Sequence, residues 1–300
     1  MPDNALYTYG ATAARKEDVL DLIYQLTPEE TPLLSRLGVT QSRSHVHNWL
    51  TDVINSATAS GGATVEGASA VNFPMTDRVR LTNYTQITTD VIEITGTQEA
   101  IAMYGLESEY AYQLEQALKR WKLKVNRILW VSTSATGTTA AARTLTGVID
   151  AIQTNRQTGS GTSCALTETL YNNLLQTVWD GGGGSPNVTF VGGFNKRRIS
   201  GFSSSNQRTQ EVGASGKISN TVDVYQSDFG EQEIVAERYI PKTEGACMQM
   251  DTWRLAYLRR PFVQPLAVIG DSKRAEVIGE YTLEYLGQVK NGLLSAFATS

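Results

Sequence analysis

The chain has 300 residues, 41% hydrophobic and 19% charged, which suits one large or two small folded domains and excludes disorder as the whole answer. A formal net charge of -4 carries no broad nucleic-acid signature, and two distant cysteines, Cys164 and Cys247, exclude a disulfide framework or a C-x-x-C metal knuckle and fit a reducing compartment. No apolar run approaches the ~18 residues of a membrane span and the N-terminus lacks a secretory apolar core, so no membrane partner is expected.

In chain order, "KEDVLDLIYQL" carries Val19, Leu20, Ile23 and Leu26 at helical spacing and stops at Pro28. "TPLLSRLG" then reads as a short helix, with Thr31 as cap, Pro32 at the first helical position and Gly38 as the stop. Its Leu33, Leu34 and Leu37 need an apolar partner that residues 1–44 do not supply. Residues 45–95 are strand-like and rich in Val, Ile, Thr and Tyr, around a small polar tip that holds Phe73. So long a two-stranded ribbon should lean on something, such as another copy of the chain.

Residues 97–131 have the strongest periodicity, with Tyr110, Leu114, Ala117, Leu118, Trp121, Val125, Ile128 and Leu129 on one face. Unbroken, they would make a helix of about 50 Å at ~1.5 Å per residue, with Gly105 as its weak link. Acidic residues come first and Lys119, Arg120, Lys122, Lys124 and Arg127 last, the order that suits the helix dipole. Residues 132–147 read as a linker by composition. A second unit follows: a helix capped by Thr167 and ended by Gly181–Gly184, a buried strand "NVTFV", a short basic helix "FNKRRISGF", a loop "SSSNQRTQ" and three strands. The last segment returns as strands interrupted at Pro261 and Pro265.

The chemistry-bearing inventory is thin. His45 and His47 are the only histidines, so no Ser/His/Asp triad can be built without one of them, and no H-E-x-x-H exists. They share a strand face, but no third metal ligand is visible in the sequence. Asp228-Phe229-Gly230 reads as a turn, because no kinase catalytic loop accompanies it. In "VWDGGGGSPNVTFVGGFNKRRISGF" the four glycines follow a helix and precede a strand, the reverse of a phosphate loop. Gly192-Gly193 with Lys196 leaves one alternative, an anion-binding α/β module that stays monomeric or dimeric. No catalytic residue, metal or cofactor is expected, and the chain is read as not an enzyme. No lysine lies between Lys16 and Lys119, which excludes covalent crosslinking through a ribbon lysine.

The order of apolar arm, long ribbon, long amphipathic helix, linker, α/β unit and returning strands resembles the major capsid proteins of tailed bacteriophages. "TPLLSRLG" followed by "HNWLTDVI", "VTFVGGFNKRRISGF" and "EVIGEYTLEYLGQVKNG" add local likeness. The resemblance implies the α+β capsid fold shared by tailed phages, herpesvirus capsid floors and encapsulin shells. It assigns residues 1–44 to an N-terminal arm and 45–95 to an extended loop. Residues 96–145 and 248–300 become a peripheral domain with a spine helix over 97–131, and 146–247 an axial domain. It implies self-assembly into hexamers and pentamers of an icosahedral head around double-stranded DNA. Portal, scaffold and decoration proteins are the further partners, with assembly in the host cytoplasm. Because the arm begins at once, a separate scaffold protein or none is expected. Candidate subunit contacts are Leu33, Leu34, Leu37, Trp49, Phe73, Lys196, Arg197 and Arg198; Lys119, Arg120, Lys122, Lys124 and Arg127 are candidates for weak DNA contact. A nanocompartment shell and a tail-tube component are the structural rivals.

Overall fold

The structure, a computed structural model, describes residues 31–52, 65–67, 77–101, 108–159, 164–202 and 223–299. The amphipathic segment 16–26, the ribbon tip with Phe73, Gly105 and the loop 203–210 lie outside them. The first half contains α1 (Pro32–Arg36), β1 (Gly38–Gln41), β2 (Val46–Thr51), β3 (Val79–Tyr84), β4 (Gln86–Thr95), α2 (Gly96–Ala100) and α3 (Glu109–Val131). Next come α4 (Val148–Ala151), β5 (Arg156–Thr158), α5 (Glu168–Asp180), β6 (Val188–Val191) and α6 (Gly193–Ser200). The chain closes with β7 (Val224–Ser227), β8 (Gly230–Ala236), β9 (Gly245–Met248), β10 (Trp253–Pro265), β11 (Ser272–Tyr285) and β12 (Gly292–Ser295).

Two sheets organise these elements. A four-stranded sheet has the order β1-β10-β11-β4, and a six-stranded sheet the order β5-β12-β9-β6-β8-β7. The helix α3 lies on the first sheet through Ala117, Trp121, Val125 and Leu129, one residue per turn and all buried. Its last turns also carry Asn126 and Trp130, which turn toward the second sheet, where Trp130 meets Phe190 edge to face at 5.4 Å. The strand β6 is buried on both faces for that reason. Val188 and Phe190 join the core around α3, while Val191 joins the core formed by Tyr171, Leu174 and Leu175 of α5 and Ile199 of α6.

The periodic stretch 97–131 is not one helix. The helix α2 ends at Ala100, and Ile101 is extended with ψ 127°. A new helix begins where Ser108, with φ -148° and ψ 122°, caps α3 and accepts from the Ala111 N–H. The Glu99 carboxylate fastens the two, accepting from Ser108 Oγ at 2.8 Å and from the Tyr110 N–H at 3.0 Å. Local capping therefore outweighs the continuous apolar period. Ser108→Ala removes both contacts of that hydroxyl and is expected to cost about 1 kcal/mol, read as a lower midpoint in urea unfolding.

Three further boundaries differ from expectation. The two-stranded ribbon is β2 with β3 alone, Val46 opposite Tyr84 through Thr51 opposite Val79. The strand β4 instead pairs along its whole length with β11, so residues 86–95 belong to the four-stranded sheet and not to the extended loop. The strand β10 runs through Pro261 to Pro265 without interruption, because shifts in register between Tyr257, Arg259 and Phe262 absorb the missing donor. The last strand joins the six-stranded sheet: β12 pairs with β5 and β9, and Leu294 and Phe297 join the α5 core.

Candidate functional site: a rooted ribbon and its open end

The ribbon is fixed at one end by buried polar chemistry. Asn83, fully buried on β3, donates to the Leu283 carbonyl at 2.7 Å and the Thr146 carbonyl at 3.2 Å, and accepts from the Thr146 N–H at 2.8 Å. Trp49 on β2 donates its indole N–H to the Tyr285 carbonyl at 2.9 Å and packs edge-on against the Tyr285 ring at 5.1 Å. His47, on the same face, lies 3.4 Å from the Glu284 carboxylate.

The hub of this root is Glu280 on β11, only 4% exposed. Its carboxylate accepts from Thr85 Oγ1 at 2.8 Å, from Arg143 Nη2 at 2.5 Å and from Arg259 Nε at 3.0 Å. Arg143 also donates to the Thr85 carbonyl at 2.9 Å, so the segment read as a linker is pinned to the turn between β3 and β4. Burial acts to raise the Glu280 pKa, but the hydrogen bonds from Thr85, Arg259 and Arg143 outweigh it and hold the group below the usual carboxylate range.

Toward the other end, among the described residues, the only ion pair is the exposed one of Asp52 and Arg78 at 3.9 Å. Leu50 is 61% exposed and Val79 56%; Leu50 stands opposite Arg80 and Val79 opposite Thr51, so each face of the ribbon carries one exposed apolar side chain. The described part of the ribbon is thus fixed at its base and leaves apolar side chains exposed farther along both strands.

A model of the SU10 major capsid protein family matches residues 4–297. The chain belongs to the SU10 major capsid protein family. A major capsid protein of Escherichia phage Phieco32 is 31% identical over 129 residues, 43% of this chain and 36% of that protein, so the match spans about a third of the relative's length. The capsid asymmetric unit of cyanophage A-1(L) superposes with a TM-score of 0.69 at 12% identity, over 98% of this chain and 100% of the other. An encapsulin complex from Synechococcus elongatus superposes at 0.61 with 11% identity, over 99% and 97%. The chain thus has the fold common to phage capsids and encapsulins.

In this SU10-family subunit several expected contact residues turn inward. Leu33 and Leu37 of α1 are buried in the chain's own core, and Leu34 is half-buried with its N–H on Asn126 Oδ1 at 3.2 Å. The partner that the leucines require is α3 and the four-stranded sheet, not a neighbouring subunit. Trp49 is likewise an anchor of the ribbon root. Lys196 donates to Asp223 Oδ1 at 2.9 Å and to the Ile234 carbonyl at 2.8 Å, which removes the cation that an anion site at Gly192-Gly193 required. Arg197 and Arg198 stay exposed, Arg198 lying 5.3 Å above the Phe194 ring. Asp228 and Phe229 form the two-residue turn between β7 and β8.

The basic half of α3 divides in the same way. Lys119 pairs with Glu115 at 2.9 Å, and Arg120 and Lys124 share the Asp90 carboxylate at 3.0 Å each. Lys122 and Arg127 are exposed and have no ion pair among the described residues. Of five candidate phosphate contacts, two keep their full charge toward solvent. Among the described residues no three His, Cys, Asp or Glu side chains lie close enough to hold a metal. The Glu280 hub went unrecognised in the sequence, because alternation along "EVIGEYTLEYLG" assigns Glu280 to a solvent face.

Proposed function

We propose that this SU10-family chain is the shell subunit of a tailed-phage head. Copies associate as hexamers and pentamers that close an icosahedral shell around double-stranded DNA. The observation that carries the reading is the ribbon, rigid at the Glu280 root and apolar at Leu50 and Val79. The residues around these two, on a neighbouring copy, would supply what the subunit lacks. The six-stranded unit, residues 146–247 with β12, takes the axial position. It turns Arg197 and Arg198 toward adjacent copies. Lys122 and Arg127 give weak, sequence-independent contact with packaged DNA. Portal, scaffold and decoration proteins complete the head, which assembles in the host cytoplasm.

The test is size-exclusion chromatography with negative-stain microscopy on the full chain, alone and co-expressed with its genomic neighbours. Closed shells or capsomers are expected, and virions should hold nuclease-protected DNA within them. A stable monomer under every condition overturns the proposal. Shells that enclose a protein cargo and no DNA would favour the nanocompartment reading, which the shared fold with the encapsulin supports.

A further inference from the structure

Where α1, α3 and the six-stranded sheet meet, the subunit buries a carboxyl that its surroundings only half satisfy. Glu237 follows β8 directly and is 1% exposed. Its Oε1 accepts from Asn126 Nδ2 and from the Tyr239 N–H, both at 3.1 Å. Asn126, itself fully buried on α3, uses its Oδ1 to accept the Leu34 N–H of α1 at 3.2 Å. One chain of hydrogen bonds therefore runs from α1 through α3 to the end of β8. Among the described residues Glu237 Oε2 has no partner, and neither has the Trp130 indole N–H, although both are buried.

Among the described residues the surroundings supply no counter-charge. From α3 come Asn126 and Trp130, both neutral. From α1 comes Arg36, whose guanidinium is bound by both oxygens of Glu233 on β8, at 2.6 and 2.5 Å. From its own segment come Arg238, which is exposed, and the Tyr239 backbone. An ionised Glu237 would thus be a buried charge with one oxygen unpaired, whereas the neutral acid leaves one weakly polar group unpaired. Burial raises its pKa above the usual carboxylate range, and the hydrogen bonds from the Tyr239 N–H and Asn126 only partly oppose this.

We infer that Glu237 is a proton-sensitive pivot: the neutral carboxyl holds α1, α3 and the end of β8 together, and its ionisation loosens α1 from the other two. The sign follows from linkage. With the folded pKa raised, the stabilisation is complete below the ordinary carboxylate pKa and is lost as pH rises through the folded value. Loosening α1 frees Leu33 and Leu37 from the core that now buries them.

Hydrogen exchange of the full chain tests this, following the α1 amides Leu34 to Leu37 between about pH 5 and 8 after correction for intrinsic rates. Wild-type protection should fall by up to about tenfold per pH unit and flatten above the folded pKa. In Glu237→Gln the profile should be flat. Glu233→Gln, which breaks the Arg36 pair, should lower protection at every pH and keep the wild-type slope, because Arg36 holds the Glu233 pKa down, outside this window. A flat wild-type profile, or an undiminished slope in Glu237→Gln, overturns the inference. If that variant does not fold, the wild-type profile decides alone. A slope in α1 that is absent from β11 around Glu280 supports the pivot, and an equal slope throughout the chain overturns it.

Discussion

Glu280→Ala is expected to destabilise the isolated subunit by about 3 kcal/mol and to abolish assembly at temperatures where the fold survives. The carboxylate joins three segments that are far apart in sequence: Thr85 at the ribbon base, Arg143 in the 132–147 segment and Arg259 on β10. Its removal leaves the Thr85 hydroxyl unpaired in a buried site and frees Arg143, which also holds the Thr85 carbonyl. The Arg259 contact contributes least, because that side chain is 44% exposed and screened. The prediction has a pH signature. With the folded pKa lowered, the contribution of Glu280 is present above the ordinary carboxylate pKa and disappears as pH falls through the folded value. The gap in urea midpoint between wild type and Glu280→Ala should therefore be widest near neutral pH and close in acid. A gap that stays constant into acid would mean that the residue acts by filling space and not by charge.

The two buried carboxyls have opposite signs. Glu280 stabilises its joint when ionised, because three donors, two of them guanidinium groups, meet it; Glu237 stabilises its joint when neutral, because no cation among the described residues meets it. Acid therefore weakens the ribbon root while it strengthens the attachment of α1, and alkali does the reverse. The ribbon root and α1 are thus held by locks with opposed proton dependence.

Some of this was legible in the sequence, and the limit has a physical form. The Thr167 cap, the helix α5, the buried strand β6 and the basic helix α6 follow from local rules, since cap, period and turn residues all lie within a few positions. What failed depended on distant partners. The strands β3 and β4 have similar composition, and only pairing with β11, nearly two hundred residues on, makes one of them a sheet strand. The leucines of α1 declare an apolar face without declaring what covers it. Alternation in β11 places Glu280, Thr282 and Glu284 on a polar face, yet all three are buried, because the ribbon root and the 132–147 segment fold over that face. The signal that could have found the hub is the rank of polar residues opposite an unbroken apolar rank, Val277, Tyr281 and Leu283, in a strand too long to stand free.

Gly279→Ala tests how tightly α3 is seated. A Cβ at Gly279 would stand 2.5 Å from Trp121 Cζ2, with the Pro261 Cα 3.4 Å away. The indole cannot swing aside. It is 3% exposed, its N–H is held by the Thr88 carbonyl at 2.9 Å, and its ring meets Tyr281 edge-on at 6.0 Å. Relief must come from lifting α3 off the sheet or from breaking the bond to Thr88 on β4, and both act on the longest helix of the described residues. Overpacking of this kind is expected to cost about 3 kcal/mol, and Gly279→Val more. Trp121→Phe removes the part of the ring that the new methyl group would strike, at the loss of buried area and of the bond to Thr88. The double variant Gly279→Ala, Trp121→Phe should therefore be destabilised by clearly less than the sum of the two single changes, since the second relieves what the first introduces. Strict additivity in a thermal or urea unfolding cycle would mean that the glycine is needed for some reason other than the approach of the helix.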